Sequence, residues 1–378
     1  DRLRSRGLGD VYKRQALLRP EERISIMASD RMMEYYYSMG QDTLAAGDID
    51  EAVTYFRKAA NLGAGEAAHE IGVIGRRLEK GDGLEKDEEK AAHCYRLCGE
   101  MGDDEAWLYL GKLYLRGLNG GKPNPRKAKR ALEHASEAGY TEAAVLLARI
   151  YDEGVMGQVN PATAFKYYLL AAQRGDSEAM LMTGLFYAQG VSVPKNTVEA
   201  ERWIRKGKEA GDPDADETLR GFLAVACTEY LTGAAGVVDE KKAAAMAKEA
   251  EVMGDKEVYL RMGYAYRASR VENHAKKAFD AFKKAAKYKL PEADAALGLC
   301  YESGLGAEAD ISKAVKYYKK AAEKGNAFAM AHYGCALANG EGVRKNKKSA
   351  MEWLIKAAMK GDEGAILILK EDYDYTLK

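Results

Sequence analysis

The residues best suited to metal or redox chemistry in this sequence are His93, Cys94 and Cys98, since imidazole and thiolate are ligands that zinc prefers. Side chains four residues apart share one face of a helix, so Cys94 and Cys98 could reach a common metal ion. These cysteines also occupy positions that hold Tyr317 and Ala321 in a later copy of an internal repeat. Because those positions belong to an apolar stripe, we predict that both thiols are packed in a core.

Motifs typical of catalysis are missing from the sequence. It contains no GxxxxGK[ST] phosphate loop, no GxGxxG after a strand, no HExxH zinc motif and no GxSxG nucleophile motif. The other histidines come from different parts of the chain and have no common acidic partner in the sequence; they are His69, His134, His274 and His332. We therefore predict a protein without catalytic residues, cofactor or metal site.

Charge and composition limit the class of partner. The 58 Lys and Arg residues balance 58 Asp and Glu residues, so the chain lacks the basic excess typical of nucleic-acid binders. No apolar run approaches the roughly 20 residues that a membrane-spanning helix requires. Five cysteines at unrelated offsets do not form a disulfide framework. We predict a protein or peptide partner, no nucleic acid, no membrane span and a cytoplasmic location; secretion is the alternative if a native signal peptide has been lost. The oligomeric state is left open.

The elements that carry these residues are copies of one repeat, seen most clearly in residues 292–327. Apolar residues at i, i+3, i+4, i+7 and i+8 predict an amphipathic helix, here called helix A. Two glycines then break the chain, Asp310 or Ser312 can cap the next start, and a second stripe predicts helix B, ending at Gly325. The stripes are Ala293, Ala296, Leu297, Cys300 and Tyr301 in helix A, and Ala314, Tyr317, Tyr318, Ala321 and Ala322 in helix B. We expect Asp104, Thr141 and Ser177 to cap three other A helices.

A glycine recurs inside the predicted A helices, although glycine costs about 1 kcal/mol against alanine in a solitary helix. We infer that its missing side chain lets a neighbouring helix approach closely. The residues assigned to this position, here called the slot glycine, are Gly72, Gly111, Gly184, Gly263, Gly298 and Gly334, with Ala148 as an exception.

The repeat length indicates the fold class. Steps of 36 residues separate Glu142 from Glu178 and Glu292 from Phe328, and a helix pair of that length must stack on its neighbours to bury its stripe. The segments YAQGVSVPKNTVEAERWIRKGKEAGD (187–212) and YESGLGAEADISKAVKYYKKAAEKGN (301–326) resemble the Sel-one-like repeats, relatives of the tetratricopeptide repeat. This resemblance implies an all-α fold, a right-handed superhelical solenoid of helix-turn-helix repeats.

The predicted organisation has four parts. Residues 1–15 include SRGLGDVYKRQ, which resembles a translated sequencing adaptor and is expected not to be native; 16–34 form a leader. Residues 35–363 hold about nine helix pairs, and 364–378 form a capping helix and tail. The copy at 214–256 is longer than the others and contains the apolar stretch FLAVACTEYLTG, which is either a binding site or a change of curvature.

The concave face of such a solenoid suits an extended peptide or a partner domain, and the resemblance implies that A helices line it. We expect a non-catalytic interaction scaffold; the alternatives are a secreted or surface host-interaction factor and an enzyme-like binder of a cell-wall-type ligand. An exposed apolar row would favour binding, whereas burial of the same side chains would make them core. The basic loop 119–130 is expected to be solvated. The residues predicted to bind the partner are Lys112, Arg149, Leu181, Leu185, Leu260, Tyr264, Arg267 and Leu299.

Overall fold

The computed structural model describes residues 20–373 and 375, and those residues form nineteen α-helices, one short 3-10 helix (Leu118–Gly120) and no strand. In chain order the α-helices are α1 (Pro20–Ala45), α2 (Ile49–Asn61), α3 (Gly65–Lys80), α4 (Glu88–Glu100), α5 (Asp104–Arg116), α6 (Pro125–Glu137), α7 (Thr141–Asp152), α8 (Pro161–Gln173), α9 (Ser177–Gln189), α10 (Thr197–Glu209), α11 (Ala215–Thr232), α12 (Glu240–Val252), α13 (Val258–Ala268), α14 (His274–Ala286), α15 (Pro291–Ser303), α16 (Ile311–Glu323), α17 (Ala327–Asn339), α18 (Lys347–Met359) and α19 (Glu363–Tyr373).

Odd-numbered helices are A helices and even-numbered helices are B helices. Each A helix up to α17 packs against the B helix that follows it, and α19 packs on α18. The all-α repeat solenoid predicted from the sequence is confirmed. The contacts divide the chain into two compact units, unit 1 up to Met180 and unit 2 from Leu181, with the boundary inside α9.

Short polar side chains set where the B helices begin. Asp310 accepts a hydrogen bond from the backbone N–H of Lys313, which makes it the cap of α16 and excludes Ser312. Seven other B helices begin in the same way, at Asp48, Asp87, Asn124, Asn160, Asn196, Asp239 and Asn346.

The caps predicted for three A helices are wrong by one residue. Asp103, not Asp104, accepts from the N–H of Glu105, and Asp176 accepts from the N–H of Ala179. Tyr140 precedes α7 and makes no side-chain cap. Asp104, Thr141 and Ser177 are instead the first helical residues, whose own backbone has already turned into the helix.

The slot glycine lies where an A helix meets its B helix. A Cβ on Gly298 would lie 2.6 Å from the Tyr318 ring, and one on Gly184 would lie 2.6 Å from Ile204. The assignment of Gly72 to this position is wrong: a Cβ there would meet nothing closer than 3.7 Å. Gly75 is the equivalent residue, since its Cβ would lie 3.1 Å from Cys94 and 3.2 Å from the neighbouring tyrosine ring.

In unit 2, the loops after α15 and α17 contact the first turn of the preceding B helix. Gly306 has a φ of +74°, and a Cβ there would lie 2.1 Å from the carbonyl oxygen of Ala275. In unit 1 the same kind of contact is made by hydrogen bonds. Glu88, 2% exposed at the start of α4, accepts from the N–H of Asn119 at 2.6 Å, and its own N–H donates to the Asn119 side chain at 2.9 Å.

The long copy at 214–256 is mainly core. Its helix α11 has 18 residues, and Phe222, Leu223, Cys227 and Tyr230 from the apolar stretch are buried against α12 and α13. These side chains therefore form core rather than an exposed binding surface.

At the N-terminal end, the structure describes part of the segment that the sequence predicted as a leader. Helix α1 begins at Pro20, inside the segment predicted as a leader, while residues 1–15 lie outside the described residues. Within the described part of the chain, no helix is long and apolar enough to cross a membrane.

Candidate partner-binding face

Two positions of the repeat come together between neighbouring A helices. One is the residue after the slot position, and the other is the residue six before the slot position of the next A helix; we call them the inter-repeat pair. In unit 1 they hold opposite charges: Lys112 Nζ lies 2.6 Å from Glu142 Oε1, and Arg149 Nε donates to Glu178 Oε1 at 3.0 Å. All four side chains are 39–56% exposed, so each pair contributes no more than about 1 kcal/mol to stability.

Unit 2 fills the inter-repeat pair differently. Leu299 and Phe328 replace the two charges of one pair, and Tyr264 replaces the cation of another, opposite Glu292. Phe328 is 41% exposed and Tyr264 is 46% exposed, which is high for large aromatic side chains. Leu299 is half-buried. The ring of Tyr264 packs edge-on against Phe282, with 5.2 Å between the ring centroids.

Phe328 belongs to an aromatic cluster on the same face. The His332 ring lies 4.2 Å from Phe328 and 4.8 Å from Tyr318, between centroids. The Tyr318 hydroxyl donates to Glu302 at 2.6 Å, and His332 Nδ1 lies 3.6 Å from the same carboxylate. Burial, with the hydrogen bond to Glu302 and its charge, raises the pKa of Tyr318, so the hydroxyl stays protonated as the donor. We call Tyr264, Leu299, Phe328 and His332 the aromatic patch.

The structure corrects part of the predicted binding set. Leu181 is 4% exposed and Leu260 is 8% exposed, so the expectation that they line an open groove is wrong. Both stand three residues before the slot glycine, a position that faces neighbouring helices, where Val145 is also buried. Leu185 is half-buried, and Arg267 is exposed.

The sequence did not identify Phe328 and His332 as site residues. A signal was available, since the position of Phe328 holds a glutamate in five other copies, and an apolar residue in an acidic position of an A helix marks a local exception. His332 had no such signal, because its ring contacts come from α16 as well as from its own helix.

The cysteines have the core positions predicted for them. Cys94 is 1% exposed and Cys98 is fully buried, which confirms the prediction, and burial raises the pKa of each thiol to about 12. At neutral pH both are protonated and are poor nucleophiles and metal ligands. Among the described residues, no group of three or more His, Cys, Asp or Glu side chains is placed to hold a metal ion.

Comparison with known proteins gives one family match. The Sel1 repeat model matches residues 27–63, 65–103, 105–140, 141–176, 177–212, 291–326 and 327–362. The stretch 213–290, which holds α11 to α14, lies between the matched segments.

Among curated proteins, chitin synthase regulatory factor 1 of Schizosaccharomyces pombe is 30% identical over 110 residues, which is 29% of this chain. The chain spans about a quarter of that protein's length (24%). Among solved structures, c5321, a protective antigen of uropathogenic Escherichia coli with an SLR fold, is 22% identical with a TM-score of 0.44, covering 91% of this chain and 80% of that one. A Sel1 repeat protein from Oxalobacter formigenes has the same identity of 22% and TM-score of 0.44, covering 91% and 87%.

Proposed function

Because the chain belongs to the Sel1 repeat family, whose members generally act in protein–protein interaction, we propose that it is a non-catalytic scaffold that binds a peptide segment through the aromatic patch of unit 2. The observation that carries the proposal is the change in the inter-repeat pair. Positions that hold exposed ion pairs in unit 1 hold Tyr264, Leu299 and Phe328 in unit 2.

Aromatic rings on a free surface leave apolar area in water, and burying that area in an interface contributes to the binding free energy. A large ring that stays about 40% in contact with water has apolar area still to bury, and aromatic anchors dominate the binding energy of many interfaces. His332 and Glu302 lie beside Phe328 and supply polar groups at its edge. The partner chemistry that fits is a segment with an aliphatic or aromatic side chain for the patch and a hydrogen-bonding group next to it.

The test is a selection of displayed random peptides on the full chain. We expect the recovered peptides to be enriched in Leu, Met, Phe and Trp. Phe328→Ala should weaken their binding by about 2 kcal/mol or more, as expected of an aromatic anchor. Lys112→Ala, a change in an inter-repeat pair of unit 1, should leave their affinity unchanged.

Stability has to be measured on the same variants, because Phe328 and Tyr264 also pack on their neighbours. The proposal is wrong if Phe328→Ala and Tyr264→Ala unfold early while the remaining folded protein binds the peptides with wild-type affinity. It is also wrong if Lys112→Ala weakens binding as much as Phe328→Ala does.

A further inference from the structure

A second candidate site lies in unit 1, away from the inter-repeat pairs. A cleft of about 730 Å³ opens between the B helices α4 and α6, and one side of α5 forms its floor. Its volume falls in the range of about 300–1,000 Å³ typical of ligand-binding clefts. It shares no residue with the aromatic patch or with the ion pairs of Lys112 and Arg149.

The floor of this cleft is aromatic. A Cβ on Gly99 would lie 2.4 Å from the Trp107 indole, so glycine at that position makes room for the ring. The indole stacks on His134 with 4.8 Å between centroids. Tyr114 lies farther along the floor, with the Lys127 ammonium 5.4 Å from its ring centroid. The floor therefore offers flat apolar surface that a planar side chain can stack on.

The walls are cationic on both sides. Arg96 stands on α4, and Lys127 and Arg130 stand on α6, against Glu89 as the one carboxylate lining the cleft. Arg96 has Glu100 at 3.8 Å, a long and exposed contact. No carboxylate in the described part of the chain pairs with Lys127 or Arg130.

His93 also lines the cleft, next to Arg96. Burial, then the nearby Arg96 and Arg57, hold the pKa of His93 below its ordinary value. A neighbouring cation disfavours the protonated imidazole, so His93 is expected to be neutral at neutral pH.

Unit 2 contains an equivalent cleft that differs in volume and in its lining residues. The cleft beside α13 and α14 has about 360 Å³, and Tyr259 stands where unit 1 has Trp107. Asp280 replaces Arg130, and the lysine equivalent to Lys127, Lys277, is held by Glu240 at 2.7 Å. Lys248 and Lys284 also line the unit 2 cleft, so what is particular to unit 1 is the larger volume and a lysine at this position without a carboxylate partner in the described part of the chain.

We propose that the unit 1 cleft binds an acidic peptide segment, with carboxylates on Arg96 and on Lys127 and Arg130 and an aromatic side chain stacked on Trp107. Guanidinium groups form strong, directional hydrogen bonds with carboxylates, and cations on opposite walls fit acidic residues on both sides of a central ring. The basic stretch 119–130, expected from the sequence to be a solvated loop, supplies both cations of one wall.

A peptide fits better than a phosphate-bearing small molecule. Phosphate sites commonly use the free N–H groups of a helix N-terminus. The first turn of α6 is capped by Asn124, whose side chain accepts from the N–H of Lys127 at 3.1 Å. What remains at the cleft is a set of side-chain cations around an aromatic floor.

The test compares two charge reversals of equal size. In the full chain, Lys127→Glu with Arg130→Glu changes the unit 1 cleft, and Lys248→Glu with Lys284→Glu makes the same change of net charge at the unit 2 cleft. Displayed random peptides are selected on the wild-type protein, and the recovered peptides are labelled and titrated against both double variants. Circular dichroism and the Tm verify that each variant is folded.

We expect recovered peptides with at least two Asp or Glu residues and one aromatic residue. Their affinity should fall about tenfold or more in Lys127→Glu/Arg130→Glu and stay within about twofold in Lys248→Glu/Lys284→Glu, because only the first pair touches the ligand. Equal weakening in the two variants would overturn the proposal by showing bulk electrostatic attraction. Recovery of no acidic peptide would also overturn it, and an ATP titration would then show whether the cleft takes a small phosphate-bearing molecule.

This inference and the proposed function fail separately. Peptides that depend on Phe328 should be apolar and insensitive to Lys127→Glu/Arg130→Glu. Peptides of the unit 1 cleft should be acidic and insensitive to Phe328→Ala.

Discussion

At the position after the slot glycine, unit 1 carries Lys112, and at the equivalent positions of unit 2 stand Tyr264 and Leu299. In both units the A helix that carries this position packs on the B helix that follows it. In unit 1 the cation pairs with a glutamate of the next copy, and in unit 2 an aromatic or aliphatic side chain stays partly in water. We therefore expect the residue type at this position to change the free energy of unfolding little, so that it can vary with the partner that is bound.

On the B helices the difference between the units runs the other way, because there unit 1 has the more open surface. The cleft between B helices is wide and cationic in unit 1, whereas in unit 2 it is half that volume and its Lys277 is neutralised. Unit 2 therefore has exposed aromatic side chains on its A helices, and unit 1 has the larger basic cleft between its B helices.

The largest expected effect tests the register on which this comparison depends. In Gly184→Leu the added side chain meets Ile204 at 2.6 Å and the Ala200 carbonyl oxygen at 3.0 Å, so we expect a loss of about 3 kcal/mol or more in the free energy of unfolding. The control is Gly72→Ala, whose Cβ would make only ordinary van der Waals contacts at 3.7 Å and which should be neutral or stabilising by up to about 1 kcal/mol. Urea denaturation measures both. A stable Gly184→Leu protein, or a damaged Gly72→Ala protein, would invalidate the register.

Exchanging one inter-repeat pair tests the comparison directly. Leu299→Lys with Phe328→Glu gives unit 2 the ion pair of unit 1, and we expect peptides selected on the aromatic patch to lose about 2 kcal/mol of binding energy. The fold should lose only about 1 kcal/mol, since an exposed ion pair replaces half-exposed apolar side chains. Lys112→Leu with Glu142→Phe is the reciprocal exchange and should leave binding at unit 2 as it was. Calorimetric titration of the peptides separates these outcomes. If the Leu299→Lys/Phe328→Glu variant bound them as tightly as the wild type, the role of the patch would be contradicted.

Glu88 tests whether a buried carboxylate is needed at the first residue of α4, where the first residue of α16 in unit 2 is Ile311. It accepts from Asn119, from Arg116 at 2.9 Å and from Lys86 at 3.1 Å, so Glu88→Gln should cost about 1–3 kcal/mol. Burial alone would raise its pKa, but the hydrogen bonds from Lys86 and Asn119 and the charge of Arg116 hold the pKa below its ordinary value of 4.5. Its stabilisation is therefore complete above pH 4.5 and is lost as the pH falls through the lower folded value.

Urea titrations of wild type and Glu88→Gln at a series of pH values measure this difference. The gap between the two proteins should shrink as the pH falls below 4.5. Ile311 stands at the equivalent position of unit 2 and is 40% exposed, so Ile311→Gln is the matched control and should change stability by less than about 0.5 kcal/mol. A gap independent of pH would mean that the charge of Glu88 is not what holds the loop.

The smallest effect belongs to the ion pairs of unit 1. Lys112→Ala and Arg149→Ala should each cost less than about 1 kcal/mol, and added salt should reduce even that, because these pairs are half exposed. Thermal unfolding at low and high ionic strength gives the values. A loss above about 2 kcal/mol would show that the inter-repeat pair is structural and not free to vary.

Much of the fold was predictable because its signals are local. Apolar spacing within one helix indicates the A and B helices, and an aspartate before α16 marks its start through a hydrogen bond three residues away. The same periodicity placed Cys94 and Cys98 in the core before any contact was known. Such features depend on residues within about one or two helical turns of each other.

The tertiary structure decided the points that depend on which neighbour a side chain meets. Gly72 and Gly75 lie three residues apart on one helix, and only the packing of α4 shows that Gly75 is the contact. Leu260 and Tyr264 both looked apolar and exposed, but one faces the core and the other faces water.

The two candidate sites are the clearest case. Residues of α4, α5 and α6 form the basic cleft, and the cluster around Phe328 needs Tyr318 and Glu302 from two other helices. A sequence pattern records the spacing of residues along one helix, whereas a binding surface is made by side chains that are distant in sequence and adjacent only after the helices stack.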